Sequence, residues 1–201
     1  GTYTVTVAVA DDDTGRGTKT FEIAIKSGEV VDRWLFYNKS YYDGNNGAAN
    51  AADFNAIAPH MSIVGGHGPH PTGRDEVSKE LGKDALLPGQ TATIANYTSY
   101  SKGINGIMID LAGRGGVLTA ADFEFRVGNH NDPSTWATAP APSSVTVFDG
   151  AGVPDSLGVA TDRVTIIWPD NAIQKTWLQI TVLATLNTAL EAPDVFYFGN
   201  A

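Results

Sequence analysis

The segment YYDGNNG carries the side chains best suited to holding a metal ion. Asp43, Asn45 and Asn46 supply side-chain oxygens around a glycine that lets the chain curl. Calcium prefers about six to eight oxygen ligands from carboxylates, amides and backbone carbonyls. The spacing and the closing glutamate of an EF-hand are missing. We predict a calcium site here, with Asp110 or Asp194 as a second contributor, and the alternative is a solvated Asn/Gly turn.

A second candidate metal site is formed by the histidines of a Gly/Pro/His-rich insertion at residues 59–83. His60, His67 and His70 offer imidazoles that zinc or copper would accept. A working metal centre needs ligands held on rigid elements by supporting hydrogen bonds. A glycine-rich segment is a poor support, so the sequence favours surface histidines, with a transition-metal site as the alternative.

Several aromatic side chains fall where nothing in the sequence requires burial. Trp136 lies in a proline-rich loop, Tyr97 and Tyr100 lie in NYTSYSKG, and Tyr41 and Tyr42 adjoin the Asp/Asn segment. An exposed aromatic surface is a common mark of a binding site, and sugar rings stack on Tyr and Trp. These five residues are therefore predicted to bind a ligand. For Trp136 the alternative is packing beneath its loop.

A pair of carboxylates that could hydrolyse a glycosidic bond occurs at Asp122 and Glu124. Two carboxylates about 5–9.5 Å apart across a cleft are needed for that chemistry. Arg126 continues the same stripe, however, and an Asp-Glu-Arg stripe is typical of the solvent face of a sheet. We therefore assign no catalytic residue.

The elements that must position these side chains are strands, and the best patterned is at 104–111. Ile107, Ile109 and Leu111 alternate with Met108 and Asp110, which predicts a half-buried strand with one face toward solvent. The same period of two predicts the core residues Ile107, Ile109, Leu111, Phe123, Phe125, Val127, Val164, Ile166, Leu178, Ile180 and Val182.

Alternation of this kind recurs along the chain and predicts an all-β fold. Turn residues separate the apolar runs, and AANAADFNAIA at 48–58 has enough alanine for a short helix. This pattern predicts an antiparallel β-sandwich that is jelly-roll-like. Strands are predicted at 32–38, 91–97, 104–111, 121–128, 143–148, 163–168, 177–184 and 194–199.

Composition excludes several classes of function. The 201 residues carry a net charge of −9 with no basic cluster, which disfavours nucleic acid and anionic membranes. No apolar run approaches the roughly 20 residues that span a bilayer, so membrane insertion is not expected. Cysteine is absent, which excludes disulfides and thiol chemistry.

The first 27 residues predict a hairpin. TYTVTVAVA, an acidic turn and TFEIAIK alternate in the manner of two paired strands. The pattern resembles the last hairpin of a PKD or cadherin-like immunoglobulin-type repeat. Because an isolated hairpin is marginal in water, we expect it to pack on other residues. Residues 31–201 are predicted to form the main domain.

From residue 31 onward, the chain resembles a module of very large secreted bacterial proteins. The segments that carry the resemblance include DRWLFYNKSYYDGNN, YTSYSKGINGIMIDLAG, LTAADFEFRVGN and APDVFYFGNA. In such proteins the module follows PKD or cadherin-like repeats and precedes a dockerin. The resemblance implies an extracellular or cell-surface location in bacteria and a calcium-rich setting. Its implied partners are a polysaccharide or cell-surface glycan and neighbouring domains of the same polypeptide.

Together these features favour a non-catalytic module that binds carbohydrate or mediates adhesion and is stabilised by calcium. Two alternatives remain: a structural spacer between repeats and a docking element, and a glycan-active or metal-dependent enzyme domain. The spacer predicts no ligand at the aromatic residues, whereas the enzyme requires polar groups converging in a cleft.

Overall fold

The computed structural model of the chain describes residues 2–10, 16–24, 27–58 and 83–201. These residues form eleven strands and five short 3-10 turns. The strands are β1 (Thr2–Ala10), β2 (Arg16–Ala24), β3 (Glu29–Leu35), β4 (Tyr97–Thr98), β5 (Gly106–Ala112), β6 (Phe123–Gly128), β7 (Ala137–Thr138), β8 (Ser144–Phe148), β9 (Asp162–Ile167), β10 (Trp177–Val182) and β11 (Asp194–Asn200). The turns are Tyr41–Asp43, Ala51–Ala56, Ile94–Asn96, Ala120–Asp122 and Pro133–Thr135.

Nine of these strands build two sheets that face each other. One sheet has the order β4-β11-β10-β6-β7, and the other has the order β3-β5-β9-β8. Pairing is antiparallel throughout, except that β4 runs parallel to β11. The predicted all-β sandwich is thus confirmed.

The core lies between the two sheets, where apolar residues of both inner faces meet. All the core residues predicted from the period of two are buried there except Val127, which is partly buried and packs against the others. Trp168, Phe196 and Phe198 also belong to this cluster. Burial of so much apolar surface is the main source of stability in a sandwich of this size.

The outer face of the four-stranded sheet departs from the prediction for β5. Every residue of that strand is buried, so the expectation that Met108 and Asp110 face solvent is wrong. Met108 joins Trp34, Phe36 and Ile167 in a second apolar cluster on this face. The cluster is covered by the turn Ala51–Ala56 and its flanks, so the central strands β5 and β9 are buried on both faces.

Three of the 3-10 turns are fixed by the same side-chain device. Asn50, Thr93 and Thr119 each begin a turn and accept a hydrogen bond from a backbone N–H within it. The residue three positions later returns the contact to the backbone N–H of the first, which is a capping box. The second box replaces most of the strand predicted at 91–97, which is wrong apart from β4. The first replaces the predicted helix at 48–58 with a 3-10 turn.

The outer edges of the five-stranded sheet are made of very short strands. β4 covers the end of β11, and β7 covers part of β6, with two residues each. An antiparallel bridge between Leu86 and Tyr197 covers a further part of the β11 edge. Long strands with a free edge therefore contribute little to this side of the domain.

The predicted amino-terminal hairpin is confirmed as a paired element. β1 and β2 form a two-stranded antiparallel sheet in which Thr2 lies opposite Ala24 and Ala10 lies opposite Arg16. Within the described ranges, no helix is long and apolar enough to cross a membrane.

Candidate functional site

The Asp/Asn-rich segment folds into a tight turn directly after the first strand of the main domain. The Ser40 hydroxyl accepts a hydrogen bond from the Tyr42 N–H at 3.2 Å, which caps the turn Tyr41–Asp43. Gly44 ends the turn with a φ of 73°, a left-handed conformation that glycine adopts without steric cost. Asn45 then donates its N–H to the Ser40 carbonyl at 2.8 Å and closes the loop.

A second segment of chain is brought alongside this turn by backbone pairing. Phe36 and Ile57 form an antiparallel bridge, and the Tyr37 N–H donates to the Ala56 carbonyl at 2.9 Å. The pairing places Asn38 next to the chain that follows Asp53. The two 3-10 turns of this region also contact each other.

Three polar side chains of these segments are buried with oxygens that accept no hydrogen bond from the described residues. The unpaired atoms are both carboxylate oxygens of Asp43, Oδ1 of Asp53 and Oδ1 of Asn38. Each of these three residues is at most 2% exposed. Oδ2 of Asp53 accepts the Asn50 N–H at 2.9 Å. Buried polar oxygens normally have partners, because leaving one unpaired costs free energy.

The electrostatics of this region reflect two carboxylates, Asp43 and Asp53, in a buried environment. Burial raises the pKa of Asp53 to about 6, and the nearby carboxylate of Asp43 adds to the rise. Burial also raises the pKa of Tyr100, with further contributions from Asp170 and Asp43. The Tyr100 hydroxyl donates to the Asn38 carbonyl at 3.2 Å.

Lys39 and Lys102 lie close to the carboxylate of Asp170. Nζ of Lys39 lies 3.8 Å and Nζ of Lys102 lies 3.6 Å from Asp170. Asp43 and Asp53 have no ion pair to a cationic side chain among the described residues.

The other calcium ligands expected from the sequence are placed elsewhere. Asn45 and Asn46 are exposed, and Oδ1 of Asn46 accepts the N–H of Ala48 at 3.0 Å. Asp110 pairs with Arg163 of the neighbouring strand β9, and Asp194 pairs with Arg33 of β3 in the other sheet. Of the five expected ligands, only Asp43 lies in the buried cluster.

Asp110 forms a buried ion pair with the residue directly opposite it on β9. Its two oxygens accept from Nε and a terminal nitrogen of Arg163, each at 2.7 Å. Oδ2 also accepts from Nε1 of Trp34 and the N–H of Val153, each at 3.0 Å. Its hydrogen-bonding capacity is filled by protein donors. Asp194 is held in a similar way by Nε of Arg33 at 2.8 Å.

Asp53 and Asn38 were not among the ligands predicted from the sequence. Asp53 lies in an alanine-rich stretch that indicates only a helix, and Asn38 ends a predicted strand. One signal was present: an asparagine at 50 followed three residues later by an acid is the spacing of a capping box. That spacing locates the turn but does not show that one carboxylate oxygen stays unpaired.

The exposed aromatic residues lie on the same turn as Asp43. Tyr41 is 86% exposed and Tyr42 is 54% exposed. Their ring centroids are 6.1 Å apart and the rings are nearly perpendicular. Two neighbouring tyrosines on a capped turn form an amphipathic surface that can contact a ligand without a large loss of side-chain entropy.

Trp136 is not the exposed indole that the sequence suggested. It is 7% exposed, its ring lies against Gly128, and Nε1 donates to the His130 carbonyl at 2.9 Å. A Cβ on Gly128 would lie 2.4 Å from the indole ring, so the glycine is what allows this close approach. The expectation of a solvent-facing indole is wrong, because the indole covers the end of β6.

Tyr97 and Tyr100 are also less available than the sequence suggested. Both are partly buried. The Tyr100 ring packs against the Tyr37 ring in a tilted arrangement with centroids 4.5 Å apart, and its hydroxyl donates to the Asn38 carbonyl. Tyr97 belongs to β4 and packs against the end of β11. Their main contacts are therefore structural.

The carboxylates considered for glycoside hydrolysis have separate roles in the structure. Asp122 is buried and accepts from the Thr119 N–H at 2.8 Å, the Thr185 hydroxyl at 2.7 Å and the Asn187 amide at 3.1 Å. Glu124 is exposed and pairs with Arg126 at 2.7 Å. Asp122 thus cross-links two loops, while Glu124 contributes to the solvent face of the sheet.

Replacement of Asp122 by asparagine is expected to destabilise the domain in a pH-dependent way. Burial alone would raise the pKa of Asp122, but the hydrogen bonds from Thr185, Thr119 and Asn187 outweigh it and lower the pKa. A carboxylate with a lowered pKa stabilises the fold above its unfolded pKa and loses that contribution as pH falls through the folded pKa. We expect a loss of about 1–3 kcal/mol at pH 7.

Urea unfolding of the wild type and D122N at neutral pH and near pH 3 measures this effect. The difference in free energy of unfolding should shrink at the lower pH. The exposed Glu191, changed to glutamine, is the matched control and should show a small difference at both values. A D122N deficit that stays constant with pH would mean that the charge of Asp122 is irrelevant.

The histidines of the predicted transition-metal site lie outside the described residues. His60, His67 and His70 all belong to the interval between 58 and 83. In the part of the chain that the structure describes, no group of three or more His, Cys, Asp or Glu side chains converges as a metal centre would require. The cluster at Asp43 contains two acids and one amide.

Comparison of the chain with family models, curated proteins and solved structures gives no match.

Proposed function

We propose that the domain is a non-catalytic carbohydrate-binding or adhesive module of a larger secreted or cell-surface bacterial protein. The observation that carries the proposal is the exposed pair Tyr41 and Tyr42 on a turn that is capped at both ends. Large aromatic side chains that remain exposed next to each other are uncommon on a soluble domain unless they bind something. The resemblance noted in the sequence supports the extracellular setting and the neighbouring repeats.

The way the turn is held supports a role in binding. The Ser40 cap and the Gly44 terminus fix the backbone on both sides of the two tyrosines. A preorganised turn loses little conformational entropy when a ligand binds, which raises affinity. Flat tyrosine faces suit the C–H faces of sugar rings, while the hydroxyls remain free to exchange hydrogen bonds with sugar hydroxyls.

The charge of the domain favours a neutral ligand. With a net charge of −9, the protein repels anionic polymers at low salt. A neutral polysaccharide avoids this repulsion and can still use the tyrosines. The ligand class proposed is therefore a neutral or weakly charged glycan chain.

Tyr41→Ala and Tyr42→Ala are expected to weaken glycan binding without unfolding the domain. Each exposed ring should contribute about 1–2 kcal/mol, which corresponds to roughly a tenfold change in affinity. Binding is measured on a panel of neutral polysaccharides by affinity electrophoresis and then by calorimetry on the best ligand. Thermal melting of the same variants should stay close to the wild type.

Ile94→Ala is the matched control, because Ile94 is an exposed apolar residue on a different turn. It should leave both binding and melting temperature unchanged. If the wild type binds no glycan on the panel, the spacer alternative replaces the binding module. If binding is found but both tyrosine variants retain it, the ligand surface is elsewhere.

A further inference from the structure

The buried oxygens beneath the exposed tyrosines form a cluster that lacks positive partners among the described residues. We propose that Asp43, Asp53 and Asn38 bind a calcium ion. The proposal differs from the expected site in two of its three ligands and does not depend on carbohydrate binding. It rests on three residues, each at most 2% exposed, whose unpaired oxygens belong to converging segments.

Asp43 differs in its hydrogen bonds from Asp110 and Asp122, two other buried acids of the domain. Asp110 accepts two hydrogen bonds from the guanidinium of Arg163. Asp122 accepts hydrogen bonds from three donors in two loops. Asp43 receives no donor from the described residues, although it is equally buried. Two adjacent buried carboxylates without a counter-charge are strongly unfavourable, since desolvation and mutual repulsion act together. A bound cation removes both costs.

The chemistry of the donors selects the cation. All the unpaired atoms are oxygens, supplied by two carboxylates and one amide. Calcium takes about six to eight oxygen ligands in flexible geometry, whereas zinc and copper prefer nitrogen or sulfur. Magnesium demands near-ideal octahedral geometry and dehydrates reluctantly. Backbone carbonyls and water commonly supply the rest of a calcium shell.

Binding at this place would connect the loop to the sandwich. Asp43 ends the turn that carries Tyr41 and Tyr42, and Asp53 lies in the turn that covers the outer apolar cluster at Trp34. One ion bound to both carboxylates would tie these turns together. Calcium should therefore stabilise the native domain as well as the local loop.

The first test is thermal unfolding of the wild-type protein after dialysis against EDTA. With ionic strength held constant, calcium at a hundredfold excess over its Kd should raise Tm by about 5–10 °C. Magnesium at the same concentration should give a smaller rise. An unchanged Tm together with no heat of calcium binding by calorimetry overturns the proposal. An equal effect of magnesium overturns the assignment to calcium.

The second test locates the site with D43N and D53N. Each should weaken calcium binding by at least tenfold and reduce the calcium-dependent rise in Tm. The matched control is E191Q, which removes one exposed negative charge from a distant loop and should retain the full response. If D43N and D53N respond to calcium as the wild type does, the ion binds elsewhere and the proposal fails.

A third measurement keeps the proposal testable if those variants do not fold. Terbium replaces calcium in oxygen sites, and its luminescence is sensitised by tyrosines close to the ion. Tyr42→Phe retains the ring but is a poor sensitiser, so it should lower the terbium signal, which calcium should displace. The control Tyr197→Phe, on β11, should keep the signal. The absence of any tyrosine-sensitised terbium signal, or a signal that calcium does not displace, contradicts the proposal.

Discussion

Replacing Asp110 with alanine should destabilise the domain by about 3–5 kcal/mol, because it leaves the guanidinium of Arg163 buried without a partner. The Arg163 side chain is 7% exposed and that of Asp110 is fully buried. The same substitution removes the acceptor of the Trp34 indole N–H and of the Val153 N–H. Asp110 therefore links Trp34 of the second apolar cluster and the loop that contains Val153 to the sheet.

Chemical denaturation of D110A against the wild type measures this loss. The control is E124A, which breaks the exposed pair with Arg126 and should cost at most about 1 kcal/mol. The double variant D110A/R163M removes both charges together. It should recover part of the stability, since the unpaired buried charge is the main penalty. A cost for D110A close to that of E124A would show that the pair contributes little.

Replacing Trp136 with alanine is expected to cost about 3–5 kcal/mol, the usual loss for a large buried aromatic residue. The indole packs against Gly128 and contacts the Tyr197 ring at 5.8 Å between centroids. Its truncation opens a cavity over the end of β6 and leaves the His130 carbonyl without its indole donor. Thermal or urea unfolding of W136A measures the effect.

W136A also separates packing from ligand binding. Below its melting temperature the variant should bind glycan with wild-type affinity, because the proposed ligand surface lies at Tyr41 and Tyr42. The control W136F keeps a flat ring and should lose less stability than W136A. A W136A protein of normal stability that loses glycan affinity would contradict the structural role and restore Trp136 to the ligand surface.

Much of the fold could be predicted from alternation, and its failures have a common physical cause. The inner-facing residues of β5, β6, β9 and β10 are where the period of two placed them. Alternation also predicted that Asp110 faces water, since an acid on a strand is normally solvated. Alternation could not show that Arg163 lies opposite Asp110 on β9. The ion pair with Arg163 offsets the cost of burying the acid.

The candidate site was predictable only in part, for a similar reason. The Asp-Gly-Asn-Asn segment correctly marks a tight turn, and it identifies Asp43 and the tyrosines as the residues to test. Asp53 could not be joined to Asp43 from the sequence, because their proximity depends on the pairing of Tyr37 with Ala56. The burial of Trp136 likewise depends on a glycine on a neighbouring strand.

The very short strands at the edges of the five-stranded sheet affect the tendency of the domain to pair with other copies at high concentration. A long exposed strand offers unpaired N–H and C=O groups on which another chain can add and start aggregation or strand exchange. Here β4 and β7 offer two residues each, and the Leu86 bridge covers more of β11. The edges of this sheet therefore offer few unpaired backbone groups to a neighbouring copy. Fewer such groups disfavour aggregation by strand pairing at high local concentration.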